Sequence, residues 1–263
     1  MTPGVLVERH GPVLKIINNN PAARNALSFE FSSGATKALK QAGADKTIAA
    51  VVLTGAEGFF CAGGDLNILI KRREMDVPKR IEAIEVLHGL IRAIHACPKP
   101  VIAAVEGGAA GAGAPIALAC DMIVAAEDAY FAVNYLRVGL APDGGSTAAL
   151  AEVMPRQLAN EIIMFGDKIP VQRLHELGAI NRICPAGQAE AVAQEIGERV
   201  AKTGPAAIAA AKRLNLAARA NTLAAQLDLE AEAMAESQGN AESGEGISAF
   251  LEKRRADFTK FRK

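Results

Sequence analysis

Ile48 to Thr54 is apolar at almost every position and stops at Gly55. A strand with one wet face alternates apolar and polar residues, so an unbroken run implies a strand covered on both faces. Val13 to Ile17, Val101 to Val105 and Met122 to Ala125 read the same way. Asn18-Asn19-Asn20-Pro21 closes the first of them, because Asn accepts left-handed backbone and Pro cannot continue a ladder. Between these runs the period changes to a helical one. Ser28 is placed to cap a helix running through Phe31, Ala35, Ala38 and Leu39, and Ile81, Ile84, Leu87, His88, Ile91 and Ile94 keep helical spacing until Pro98 and Pro100 break it. Covered strands alternating with helices predict an α/β domain. Beyond about Gly187 no strand pattern remains. Alanine-rich helices follow, divided at Gly204-Pro205 and Gly239-Asn240, with Leu223, Leu227, Ala231 and Met234 on one apolar stripe.

Composition narrows the class. Of 263 residues half are apolar, 4% are aromatic and none is Trp, so the core is built from Ala, Val, Ile and Leu. Lys plus Arg and Asp plus Glu both number 29, leaving no global field to hold nucleic acid or an anionic membrane; an anionic ligand has to meet local positive charge. Such charge exists at the end of the chain, where Lys253, Arg254, Arg255, Lys260, Arg262 and Lys263 follow an acidic segment from Asp228 to Glu245. Cys61, Cys97, Cys120 and Cys184 show neither C-x-x-C nor a framework spacing, and His10, His88, His95 and His175 are as scattered, which points to reduced thiols and no metal site. Met1 to Arg9 carries no apolar leader, and no run approaches the ~18 apolar residues of a membrane span. These features describe a cytoplasmic protein with neither nucleic acid nor membrane as partner.

Two glycine-rich turns are the places where backbone can approach a ligand. Gly107 to Pro115 follows the strand 101–105 without satisfying G-x-G-x-x-G. Pro115 fits the first turn of a helix, so a helix starts near Ala112 and leaves that N–H free at the positive end of the dipole, a suitable donor to an oxyanion. Tight packing explains the same glycines equally well. Phe59 to Leu66 lies beyond the strand 48–54, and Gly63-Gly64 can turn N–H groups inward with no Cβ in the way. Two donors converging on one oxygen make an oxyanion hole. Ser28 and Ser146 lack a G-x-S-x-G elbow, nothing assigns Cys61 a base, and Lys71-Arg72-Arg73 reads as an exposed helix or lid face.

Five motifs, in order and at matching spacing over nearly the whole chain, resemble the enoyl-CoA hydratase/isomerase (crotonase) family. They are Pro21-x-x-Arg24-Asn25-Ala26-Leu27, Phe60 to Leu66, Gly107 to Asp121, Val138-Gly139-Leu140-x-Pro142-Asp143-Gly144-Gly145, and Glu245-Gly246-x-x-Ala249-Phe250-Leu251-x-Lys253-Arg254. The stretches 107–121 and 221–253 look closest to the phenylacetate-pathway branch that isomerises ring-epoxidised phenylacetyl-CoA. The resemblance implies a crotonase spiral of ββα repeats over residues 1–195 and a helical oligomerisation region over 196–263, giving a homotrimer or a hexamer of paired trimers. It implies an acyl-CoA substrate, with coenzyme A entering as part of that substrate and no separate cofactor. It places the thioester carbonyl between the Gly64 and Ala112 amides. It also implies that Ala62 faces the adenine, that Arg24, Ala26, Asp65 and Leu66 line the CoA path, and that Phe250 and Lys253 reach a neighbouring subunit's CoA.

The departures from that family decide the expected chemistry. Its hydratases use two glutamates, and the matching positions here hold Pro115 and Tyr135. Proline has no ionisable group, and a phenol titrating near ~10 is a poor base at neutral pH. Asp143 remains. One carboxylate suffices to move a double bond, removing a proton at one carbon and returning it two carbons away while the oxyanion hole stabilises the intervening enolate. The expectation is an enoyl-CoA isomerase whose unsaturated substrate can be ring-derived, with Asp143, Gly64 and Ala112 as its catalytic groups. The alternatives are an enoyl-CoA hydratase or ring-opening hydrolase, an acyl-CoA binder without activity, and an Asp143 that merely shapes a turn or caps a helix.

Overall fold

The computed structural model describes residues 4–263. Among the described residues nine strands and eleven α-helices follow in chain order. The strands are β1 (Val5–His10), β2 (Val13–Asn18), β3 (Ala50–Gly55), β4 (Val101–Val105), β5 (Gly108–Ala110), β6 (Met122–Ala126), β7 (Tyr130–Ala132), β8 (Ile169–Pro170) and β9 (Arg182–Cys184). The helices are α1 (Phe29–Ala44), α2 (Leu66–Arg72), α3 (Val77–Ala96), α4 (Gly113–Leu118), α5 (Ser146–Val153), α6 (Arg156–Phe165), α7 (Val171–Glu176), α8 (Ala189–Val200), α9 (Pro205–Ala218), α10 (Leu223–Gln238) and α11 (Ala241–Leu251).

The large sheet has the order β1-β2-β3-β4-β6-β9, antiparallel between β1 and β2 and parallel elsewhere. Its unbroken apolar runs are explained by helices on both faces. Val51, Leu53, Val101, Ala103, Val105 and Ile123 point into the main core with α1 and α3, while Ala50, Val52, Ile102, Ala104 and Val124 point the other way, onto Ala189 and Ala193 of α8. Helix α8 approaches so closely that a Cβ on Gly197 would sit 2.7 Å from Val13 Cγ2. The expected division after residue 195 falls inside this helix.

A second, smaller ladder runs alongside. β5 pairs with β7 and β7 with β8, and isolated bridges extend the ladder through Cys61 to Ala109 and Leu27 to Gly64. Each turn of the chain thus gives one long strand to the large sheet and one short extended segment to the small one, which is the spiral of the crotonase fold. The short segments run out at Gly64, Ala110 and Ala132, and the turns that follow meet there, a Cβ on Gly111 lying 3.3 Å from Gly63 Cα and 3.4 Å from Asn134 Oδ1.

The reading of β2, β3, β4, β6, α1 and α3 agrees with the structure to within a few residues, and Ser28 caps α1 by accepting the Phe31 N–H. β1, β5, β7, β8, β9 and helices α5, α6 and α7 carry no pattern that the sequence reading used, while α2 ends in the Lys71-Arg72 pair read as an exposed helix or lid face. Among the described residues no helix is long and apolar enough to cross a membrane.

Candidate active site

Hydrogen bonds made by the opposite end of each peptide aim the two amides. Leu27 donates its N–H to the Gly63 carbonyl at 2.7 Å, and no peptide bond among the described residues is cis. In a trans peptide the C=O and N–H point in opposite directions, so the Gly64 N–H is turned away from Leu27. In the same manner the Ala114 N–H reaches the Gly111 carbonyl at 3.2 Å and leaves the Ala112 N–H facing out of the turn. Neither amide has an acceptor among the described residues. Ala112 is the residue before the first turn of α4, so its N–H also lies at the positive end of that helix.

Gly63 sets how near the two turns come. It has φ +98°, and a Cβ there would lie 2.9 Å from the Ala110 carbonyl oxygen and 3.4 Å from the Ala112 nitrogen. The Gly63-Gly64 and Gly111-Ala112 peptides are therefore adjacent, with room for backbone and nothing more.

Asparagine seats the adjoining loop. Arg24 and Asn25 both adopt left-handed backbone (φ 49° and 55°), which Asn tolerates better than most residues. The Asn25 side chain is fully buried; it donates to the Ala56 carbonyl at 2.8 Å and the Phe59 carbonyl at 2.5 Å, and accepts the Asn20 N–H at 2.8 Å. Arg24 returns the favour to the glycine turn by accepting the Ala62 N–H at 3.0 Å, and its guanidinium lies 6.0 Å from the centre of the Phe59 ring. Ala26 is buried, Asp65 caps α2 through the Asn67 N–H at 2.8 Å, and Leu66 is exposed. Phe250 and Lys253 project from the end of α11, Phe250 being 84% exposed, and no side-chain hydrogen bond or ion pair ties either of them to these loops among the described residues.

Asp143 occupies a half-buried turn against α4. Its neighbour Gly144 (φ +63°) touches Pro115, a Cβ there falling 2.9 Å from Pro115 Cγ. The residue preceding α5 is Gly145, and no side chain caps that helix. The carboxylate is thus not a helix cap. Its Oδ1 and the Tyr135 hydroxyl are both buried and close to each other, and neither completes a hydrogen bond of normal geometry. Burial first, and the Asp143 carboxylate beside it second, push the Tyr135 phenol well above its ordinary range, so it stays protonated and serves only as a donor. Burial also pushes the Cys61 thiol up to about 11, which removes it as a thiolate nucleophile at neutral pH.

Two contributors escaped the sequence reading. Asn25 was visible only as part of a motif; its signal was an Asn where the backbone must turn left-handed. His88 was visible as part of an apolar helical stripe, and its Nε2 accepts the Gly144 N–H at 3.4 Å. Among the described residues no group of His, Cys, Asp and Glu could hold a metal ion.

The chain as a whole has counterparts among known proteins. A sequence model described as enoyl-CoA hydratase/isomerase matches residues 8–261. The chain is 35% identical over 248 residues to 1,2-epoxyphenylacetyl-CoA isomerase of Escherichia coli strain K12, covering 94% of this chain and 95% of that one. It is 33% identical over 254 residues to 2,3-dehydroadipyl-CoA hydratase of the same organism, covering 97% and 98%. A crystal structure of an enoyl-CoA hydratase from Polaromonas sp. JS666 superposes with TM-score 0.94 at 42% identity, covering 96% of this chain and 98% of that one. Likeness over nearly the whole length in both sequence and backbone makes this chain a member of the enoyl-CoA hydratase/isomerase family.

Proposed function

We propose that the protein isomerises an unsaturated acyl-CoA, with Asp143 as its single base and the Gly64 and Ala112 N–H groups as the oxyanion hole. One observation carries the reading: the buried Asp143 Oδ1, which completes no hydrogen bond of normal geometry, beside turns whose hydratase-type glutamate positions hold Pro115 and Tyr135. With the thioester oxygen between the two amides, Asp143 removes the α-proton, the electrons move onto that oxygen, and the enolate is held by the donors that strengthen as charge develops. Asp143 then returns the proton at the γ-carbon. The Tyr135 hydroxyl, fixed as a donor, steadies the carboxylate or an oxygen on the substrate. Two donors at ~3–4 kcal/mol each supply a large part of the barrier reduction.

Arg24, Ala26, Ala62, Asp65 and Leu66 line the CoA path in this reading. Exposed Arg24 offers positive charge and a ring-stacked guanidinium to the nucleotide. No cofactor beyond the substrate's own CoA is needed, and the reaction belongs in the cytoplasm. Leu223, Leu227, Met234, Ile247 and Phe250 expose apolar surface on α10 and α11, and we assign these faces to a trimer or hexamer in which Phe250 and Lys253 meet a neighbour's CoA. A monomer by light scattering at micromolar concentration contradicts that assembly.

Water addition is the second reading, favoured by the 33% identity to 2,3-dehydroadipyl-CoA hydratase. Exchange of solvent deuterium into crotonyl-CoA tests the base itself. Asp143→Asn keeps the shape and removes the basicity, so exchange is lost while CoA-ester affinity and melting stay at the parent's values. Exchange at the parent rate places the base elsewhere.

A further inference from the structure

Helix α3 passes behind the Asp143 turn and presents one face of a single turn to it. Leu87 packs there, its Cδ2 lying 3.3 Å from where a Gly144 Cβ would be. The next residue, His88, receives the Gly144 N–H at Nε2 at 3.4 Å. A ring nitrogen that accepts carries no proton, so the neutral imidazole holds its hydrogen on Nδ1. That nitrogen faces Glu85 Oε1 at 3.1 Å, one helical turn back. Arg92 donates to both Glu85 oxygens, at 2.6 and 3.4 Å, and together with His88 holds the Glu85 carboxyl below its ordinary range. An ionised Glu85 selects the Nδ1–H tautomer and so leaves the Nε2 lone pair for Gly144.

The peptide between Asp143 and Gly144 is consequently held from both sides. Its N–H points to His88, and its carbonyl, trans to it, accepts the Ser146 N–H at 3.1 Å. The orientation of that plane fixes the Cα of Asp143, and with it the direction in which the carboxylate leaves the turn. Gly144 has no side chain with which to resist rotation, and its φ of +63° is held only by its neighbours.

We propose that His88 is a positioning residue for Asp143, locked in one tautomer by Glu85 and Arg92. The inference rests on the reading of Asp143 as the base. It concerns turnover and not affinity, because among the described residues the hydrogen bonds of His88 go to Glu85 and Gly144 and none goes to the two amides or to the loops assigned to CoA.

The test compares four variants, each assayed for turnover of vinylacetyl-CoA, for deuterium exchange into crotonyl-CoA and for melting temperature. His88→Leu removes the acceptor, and His88→Asn keeps polarity but is too short to reach Gly144. Both should lower kcat and exchange by about ten- to a hundredfold with KM within about twofold, since small misplacements of a reacting group have effects of that order. His88→Gln carries an amide oxygen that reaches the Gly144 N–H and should recover to within about threefold of the parent. The proposal is overturned if His88→Leu or His88→Asn turns over at the parent rate, or if a folded His88→Gln is as slow as either. Asp143→Asn in the same series separates the two ideas. If it loses exchange while the His88 variants do not, only the positioning role falls; if it exchanges like the parent, the assignment of the base falls and this proposal with it.

Discussion

Gly63→Ala is the perturbation that asks most of the oxyanion-hole geometry while touching no polar group. Its Cβ would sit 2.9 Å from the Ala110 carbonyl oxygen, 3.2 Å from Gly111 Cα and 3.4 Å from the Ala112 nitrogen. Two of these contacts are closer than ordinary van der Waals separation, and all three are backbone, which cannot swing aside as a side chain can. The turns must part by about half an ångström, and an L-residue at φ +98° stores roughly 1–3 kcal/mol of strain. Since a misplacement of about 1 Å is worth roughly 10²-fold in rate, kcat should fall about ten- to thirtyfold and the melting temperature should drop with it. Gly64→Ala is the matched control. It retains the N–H, and its Cβ meets only the end of the flexible Leu69 side chain at 3.4 Å, so kcat should stay within about threefold. Steady-state turnover of vinylacetyl-CoA with parallel thermal melts reads both. A folded Gly63→Ala at the parent kcat, or a larger loss in Gly64→Ala than in Gly63→Ala, refutes the assignment of these two turns.

Three further expectations follow from single contacts. Ala112 has φ −62°, the value proline imposes, so Ala112→Pro should fold yet lose on the order of 10²–10³ in kcat by deleting the donor, as circular dichroism and kinetics would show. Lys212 ties α9 to the sheet, donating to Asp121 Oδ2 at 2.6 Å and to the Ile94 carbonyl at 2.8 Å with only 7% of its side chain exposed. Lys212→Met leaves the Asp121 carboxylate, 22% exposed, without its cation and should cost about 2 kcal/mol, measurable by urea titration. Arg254, Lys260 and the Asp257 N–H lower the Glu245 carboxyl from its ordinary 4.5 to about 2, so this anchor of the C-terminal tail is at full strength above about pH 4.5 and is lost as pH falls toward 2. The protection factors of the Phe261 and Arg262 amides, taken against the intrinsic exchange rate at each pH, should fall over that interval, and Glu245→Gln should show the lower protection already at neutral pH.

The parts of this molecule that the sequence made legible are those whose physics is local. Covered strands such as β4 must be apolar throughout, and helix α1 declares its start through a capping serine, so both could be placed from pattern alone. β5, β7 and β9 are three residues each, too short to show a period, and they exist because the spiral lays them beside earlier turns. The site divides in the same way. Glycines at 63 and 64 and a proline at 115 announce a turn and a helix start, but the directions of the Gly64 and Ala112 amides depend on Leu27 and Ala114, partners whose side chains carry no trace of the bond. Asp143 could be singled out by resemblance and by the exclusion of Pro115 and Tyr135. Its lack of a capping role, the buried Oδ1, and the imidazole behind Gly144 are facts of tertiary placement, separated by 55 residues between His88 and Asp143 in the chain.

The central claim is that one carboxylate and two amides move a double bond and add no water. Incubating the protein with vinylacetyl-CoA in deuterium oxide and resolving the products by mass spectrometry tests it directly. Crotonyl-CoA is the expected product, with solvent deuterium at the α- or γ-carbon and no build-up of the hydrated thioester. Rapid accumulation of 3-hydroxybutyryl-CoA from vinylacetyl-CoA or crotonyl-CoA, undiminished in Asp143→Asn, would contradict it.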